Sequence, residues 1–179
     1  MGFIVGILEK TATKAGLIVL ATVYAAVFGG ILITLNQLTK SSSGFGILDF
    51  DFGYSRERVM EVLGSYGDTG WSLYSRIQLL DLINPALYSL LLSSIIFLLW
   101  RSRNILWVVV IPLFAGLLDY LENLTLFLLS QSYPSVSSGL VSISSSLSII
   151  KNVALYAAVF ILILGILLRL KGHFTTVES

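Results

Sequence analysis

Four long apolar segments dominate this sequence and restrict the folds open to it. They run from about residue 15 to 35, 75 to 100, 105 to 130 and 147 to 170. A helix needs roughly 20 apolar residues to cross the hydrocarbon core of a bilayer. Only 12% of the residues are charged, about half the share that is usual in soluble domains. The sequence therefore predicts an all-α fold, a transmembrane four-helix bundle that forms a single membrane domain over residues 1–179.

Lys and Arg residues flanking the segments predict how the bundle is oriented, because they concentrate on the cytoplasmic side. One side carries Lys10, Lys14, Arg101, Arg103, Arg169 and Lys171, all close to segment ends. The other side carries Lys40, Arg56, Arg58 and Arg76. Both termini are therefore predicted to be cytoplasmic. The segment 36–74 and the Ser-rich stretch 131–146, interpreted as a flexible loop, then face outward.

The outer segment 36–74 contains one further helix signal. Ser55 is a typical N-cap for a helix over residues 56–65, and the apolar side chains of Val59 and Val62 make that helix amphipathic. The simpler interpretation is a short amphipathic helix lying on the bilayer surface. The alternative is a lid over a cavity.

Polar side chains recur at helical spacing inside the second, third and fourth segments. They are Arg76, Asp81, Asn84, Tyr88, Asp119, Glu122, Asn123, Lys151, Asn152 and Tyr156. A helix rises about 1.5 Å per residue, which places most of these groups at matching depths in the outer half of the bundle. Charges inside a bilayer are costly, so this polar layer is expected to have either a structural or a functional role.

Ion pairing is the structural interpretation of the layer. Lys151 is expected within salt-bridge distance of Glu122 or Asp119, with asparagines as hydrogen-bonding partners between helices. Pro85 is expected to free the carbonyl of Asp81 for another partner. Small residues spaced four apart, Ala21, Ala25 and Gly29 in one segment and Ala154 and Ala158 in another, predict close helix contacts.

Metal and cofactor chemistry is not predicted from these residues. The chain has no Cys, and its one His, His173, lies in the polar C-terminal tail. A hard-cation site made by Asp81, Asp119 and Glu122 is chemically reasonable, but the ammonium of Lys151 would compete with the ion. We therefore expect neither a metal nor a cofactor.

The leading functional hypothesis is a lipid-binding or accessory/assembly subunit whose polar layer holds a lipid headgroup or a partner helix. The alternative is a membrane-embedded acid–base enzyme, isomerase- or hydrolase-like, that acts on a lipid. Asp81 is then the best catalytic candidate, since no catalytic motif is present. A third hypothesis is a pure assembly protein without a ligand. The expected partners are membrane lipids and other membrane-protein subunits. Nucleic acid is not expected, because the net charge is only +1.

Two resemblances add to this picture. The runs Gly53-Tyr-Ser, Leu79-Leu-Asp-Leu-Ile-Asn-Pro, Asp119-Tyr-Leu-Glu-Asn and Ile149-Ile-Lys-Asn resemble a family of small, uncharacterised four-helix integral membrane proteins. The architecture is also similar to the emopamil-binding protein and sigma-2 receptor (EXPERA) superfamily, through the acid followed by Pro85 in the second segment. That likeness implies a lipid-binding cavity lined by acids, and no residue roles are carried over from it.

Overall fold

The computed structural model describes residues 2–101 and 106–175, without the side chains of Leu106 and of residues 172–175. Over these residues the chain is helical and contains no strand, which confirms the all-α prediction. The helices are α1 (Gly2–Thr11), α2 (Lys14–Ser41), α3 (Arg56–Gly64), α4 (Gly67–Asp81), α5 (Asn84–Trp100), α6 (Val110–Ser132) and α7 (Ser138–Thr175). Short 3₁₀ turns occur at Leu48–Phe50 and Leu106–Val109. Residues 102–105, which include Arg103, and the His173 side chain lie outside the described residues.

Four helical units in the described part of the chain are long and apolar enough to cross a membrane. They are α2, the pair α4 and α5, the stretch Trp107–Ser132, and α7 as far as Lys171. The helices α2 and α7 both pack against α5, and α6 packs against both α5 and α7. The predicted set of four long apolar helices is thus confirmed.

Helix α7 begins earlier than the sequence pattern indicated. The Ser-rich stretch 131–146, predicted as a flexible loop, belongs largely to helix, and only residues 133–137 connect α6 to α7. The serine hydroxyls are satisfied inside the helix, since Ser142 and Ser146 donate to the carbonyls of Ser138 and Ser142 at 3.0 and 2.8 Å. This back-bonding makes a run of serines compatible with an α-helix.

The segment between α2 and α4 is also shorter than the predicted range 36–74 and covers residues 42–66. The predicted amphipathic helix within it is present as α3, capped by the Ser55 hydroxyl, which accepts a hydrogen bond from the Arg58 amide at 3.3 Å. Val59 and Val62 are buried in a core shared with the ends of α6 and α7. Helix α3 therefore closes one end of the bundle, here called the loop end.

The other end of the bundle is closed by α1. Leu8 is buried against Ile96 and Phe97 of α5, and the Thr11 hydroxyl lies 2.7 Å from that of Ser94. The polar layer identified in the sequence lies between these two packed ends.

The break between α4 and α5 shapes that layer. Pro85 lies in the first turn of α5 and has no amide hydrogen, so the carbonyl of Asp81 lacks its usual helical partner. The side-chain amide of Asn123 donates to this carbonyl at 3.4 Å. The expected role of Pro85 is confirmed, and Asp81 is the last residue of α4.

Candidate functional site

The segment that follows α2 is held against α7 by hydrogen bonds from serine hydroxyls. The Tyr54 hydroxyl lies 2.6 Å from that of Ser144, and the Ser148 hydroxyl donates to the carbonyl of Asp51 at 3.0 Å. Gly53 adopts a φ of 82°, and a Cβ there would lie 2.9 Å from the Cδ1 of Ile149. Only glycine fits both this backbone and this close approach. These contacts hold the 3₁₀ turn, and with it Asp49, against the bundle.

Three carboxyl groups converge at this place. Asp49 comes from the 3₁₀ turn, Asp81 from the end of α4 and Asp119 from α6, and one oxygen of each lies within 4.8 Å of the others. Asp119 is buried, whereas Asp49 and Asp81 are partly buried. Three separate segments therefore contribute acids to one cluster, which we call the carboxylate cluster.

Lys151 of α7 is the cation beside this cluster. Its Nζ lies 2.6 Å from Oε2 of Glu122 and 3.4 Å from Oδ1 of Asp119. The predicted pairing is confirmed, with both acids engaged at once. Lys151 is 6% exposed and Glu122 is 0% exposed. Within the described residues, one ammonium thus faces four carboxyl groups, and two of these, Asp49 and Asp81, form no ion pair.

Asparagine and tyrosine side chains complete the layer. The Asn84 amide nitrogen donates to Oδ1 of Asp81 at 2.9 Å. Its amide oxygen is buried and has no hydrogen-bond partner in the described part of the protein, and the same is true of Oδ1 of Asp49. The Tyr88 hydroxyl lies near Asp119 but forms no hydrogen bond of normal geometry. Several buried acceptors around the cluster are therefore unsatisfied.

Asp49 lies outside the four long helices, and its environment disfavours the ionised form. Burial raises the pKa of Asp49 well above its usual range, the charge of Lys151 opposes this, and the carboxylates of Glu122, Asp81 and Asp119 raise the pKa further. The ionised form of Asp49 is therefore disfavoured unless a nearby cation compensates its charge.

A cavity of about 500 Å³ opens from the cluster between α2, α5 and α7. Its polar end is formed by Asp49, Asp81, Asn84, Tyr88, Asp119, Lys151 and Asn152. Its apolar wall is formed by Tyr24, Phe28, Ile31, Leu91, Leu92, Leu155 and Val159. Phe50 and Tyr156 also line it and are 58% and 61% exposed, so the cavity reaches the outer surface of the bundle. We call it the lateral cavity.

A second cavity of about 500 Å³ lies between α4 and α6. It is lined by Asp49, Asp81 and Asn123 together with apolar residues such as Leu79 and Phe127. Asp49 and Asp81 thus contribute to the walls of both cavities.

Most of the predicted polar layer is brought together. Asp81 and Asp119 belong to the carboxylate cluster, and next to it lie Asn84, Tyr88, Glu122, Asn123 and Lys151. Asn152 lines the lateral cavity, and Tyr156 lies at its rim, with its ring centroid 6.4 Å from that of Phe52. Arg76 is the exception, since it is exposed on α4 and has no ion pair among the described residues.

The sequence analysis missed Asp49, which lies outside the four long apolar segments. The signal that could have found it is the apolar run around it, because Ile47, Leu48 and Phe50 are unusual neighbours for an acid in a solvated loop.

Comparison with models of known protein families, with curated proteins and with solved structures finds no match. The two resemblances stated from the sequence therefore stay predictions, and the site is interpreted from its own chemistry.

Proposed function

We propose that the chain is an integral membrane protein that binds one lipid-like molecule in the lateral cavity. The polar head would lie against the carboxylate cluster, and the chain would follow the apolar wall formed by α2, α5 and α7. The observation that carries this proposal is the shape of the cavity, with one polar end, one apolar wall and an opening at Phe50 and Tyr156.

The size and position of the lateral cavity support a lipid over a water-soluble ligand. Its volume of about 500 Å³ lies within the range of roughly 300–1,000 Å³ that is usual for small-molecule sites. The opening lies beside α2 and α7, which bury little of their apolar surface within the bundle. In a membrane, a molecule entering there would come from the bilayer.

The acid–base enzyme is less well supported by the same geometry. Asp119 and Glu122 are held by Lys151, and Asp81 accepts a hydrogen bond from Asn84. Steady partners suit binding, whereas a catalytic carboxyl has to change its protonation state during turnover.

Filling the lateral cavity should remove the lipid. Leu92→Trp adds bulk to the apolar wall, so a lipid that co-purifies stoichiometrically with the natural protein should be lost from this variant in native mass spectra. Leu117→Trp is the matched control, because Leu117 is exposed on α6 and lines neither cavity. A natural protein without bound lipid, or Leu92→Trp with undiminished lipid, would refute the proposal.

The orientation is proposed from the flanking charges, with both termini in the cytoplasm and the loop end outside. Because the chain has no Cys, single Cys residues can be introduced directly. Glu9→Cys and Ser135→Cys are both exposed and lie on α1 and in the 133–137 turn. In intact cells a membrane-impermeant maleimide should label position 135 and spare position 9. The opposite pattern would invert the orientation.

A further inference from the structure

The carboxylate cluster differs from the cation site that the sequence suggested. From the sequence, Asp81, Asp119 and Glu122 are the candidate ligands, and the ammonium of Lys151 is expected to compete with an ion there. In the structure Glu122 is the closest partner of Lys151, at 2.6 Å, and Asp49 takes its place beside Asp81 and Asp119. The competing ammonium is therefore occupied mainly by an acid outside the cluster.

We propose that Asp49, Asp81 and Asp119 bind a hard divalent cation of the Mg²⁺, Ca²⁺ or Mn²⁺ class. Their nearest oxygens lie within 4.8 Å of one another. Ligand oxygens around such an ion, at about 2.0–2.6 Å from it, are spaced roughly 3–5 Å apart. The three acids already have the spacing that a common ion requires.

The unsatisfied groups beside the cluster point to the same ligand independently. The Tyr88 side chain is 9% exposed, its hydroxyl has no hydrogen-bond partner in the described residues, and it lines the lateral cavity with all three acids. The amide oxygen of Asn84 is likewise buried and unpartnered, because its nitrogen is used by Asp81. Asn84 would supply a fourth oxygen ligand to the ion, and Tyr88 would bind a water on it.

Charge balance favours a divalent ion over a lipid ammonium. Of the four carboxyl groups around Lys151, those of Asp49 and Asp81 have no ion pair among the described residues. A singly charged headgroup would compensate one of these two carboxylates, whereas a divalent ion compensates both. Because every donor is an oxygen atom, the site suits hard ions and not zinc or copper.

This inference does not depend on the lipid. Binding of a cation can be measured on the purified, full-length protein in detergent, whether or not the lateral cavity holds a lipid. Failure of the cation proposal would leave the lipid proposal standing, and the reverse also holds.

The test is calorimetric titration of the EDTA-treated protein with MgCl₂, CaCl₂ and MnCl₂. We expect saturable binding of one ion per chain for at least one metal. Loss of an outer-shell group typically weakens metal binding about 10- to 100-fold, so Asp49→Asn should weaken it by at least about 10-fold. Asp81→Asn, in a different segment, should do the same. Asp68→Asn, at an exposed position of α4, should bind as the natural protein does.

The folded state of each variant is checked by circular dichroism and gel filtration before titration. No saturable binding of any of the three metals to the natural protein would overturn the proposal. Equal affinity in the natural protein and in both cluster variants would overturn it as well. A third outcome would also overturn it: no metal binds, but dodecylamine raises the unfolding midpoint of the natural protein and not that of Asp49→Asn. The cluster would then be a site for an organic ammonium.

Discussion

Replacing Lys151 with Met should destabilise the protein by about 3–5 kcal/mol, the usual cost of removing one partner from a buried ion pair. The ammonium contacts Glu122 at 2.6 Å and Asp119 at 3.4 Å, and all three side chains are buried. Met keeps the length and the apolar stem of the side chain. The loss of stability therefore comes from the carboxylates that remain without a counterion. It should appear as a lower midpoint of thermal unfolding in detergent.

Two further variants separate charge from packing. Adding Glu122→Gln to Lys151→Met should recover much of the stability, because the acid nearest to the ammonium is then neutral. Lys40→Met changes an exposed lysine at the end of α2 and should leave the midpoint unchanged. If Lys151→Met were as stable as the natural protein, or if the double variant were no better than the single one, the ion pair would not stabilise the fold.

Gly116→Ala should separate α5 from α6. A Cβ at Gly116 would lie 2.7 Å from the Ser89 hydroxyl and 3.0 Å from the backbone carbonyl of Pro85. The carbonyl cannot rotate away, so the helices have to move apart, and overpacking of this kind typically costs about 1–3 kcal/mol. Unfolding of the variant in detergent, followed by Trp fluorescence, should show this loss.

The same substitution at Gly29 provides the matched control. A Cβ at Gly29 meets nothing within 4 Å. In the interior of a helix Ala is favoured over Gly by about 0.8–1.0 kcal/mol, so Gly29→Ala should be neutral or stabilising. Stabilisation of both variants would show that helix propensity, and not the contact between α5 and α6, decides the outcome.

Gly29 also shows what small residues can and cannot predict. The ridge of Ala21, Ala25 and Gly29 was expected to contact another helix, yet Ala21 and Ala25 are exposed. Ala158 of the other predicted ridge is buried. A small side chain permits close approach but does not specify which face meets a neighbour. Gly116, which makes the tight contact with α5, is not part of a row of small residues spaced four apart.

The polar layer was predictable where helical geometry determines it. The rise of a helix placed Glu122 and Lys151 at one level, and their ion pair follows from that level. The same helical geometry explains why Arg76 lies apart from the polar layer. It is five positions from Asp81 on α4 and is therefore turned about 140° away from it around the helix axis. Asp49 could not be placed in this way, because its position depends on contacts of an irregular segment with α7 and not on a repeating pattern.

Asp49 and Asp81 form part of the wall between two cavities that open on different sides of the bundle. Whatever binds these carboxyl groups from one cavity changes the charge and the hydrogen-bond acceptors that the other cavity presents. We therefore expect the two cavities to be thermodynamically linked through these two side chains. Because linkage is reciprocal, occupancy of the cavity between α4 and α6 changes the affinity of the lateral cavity by the same factor as the reverse.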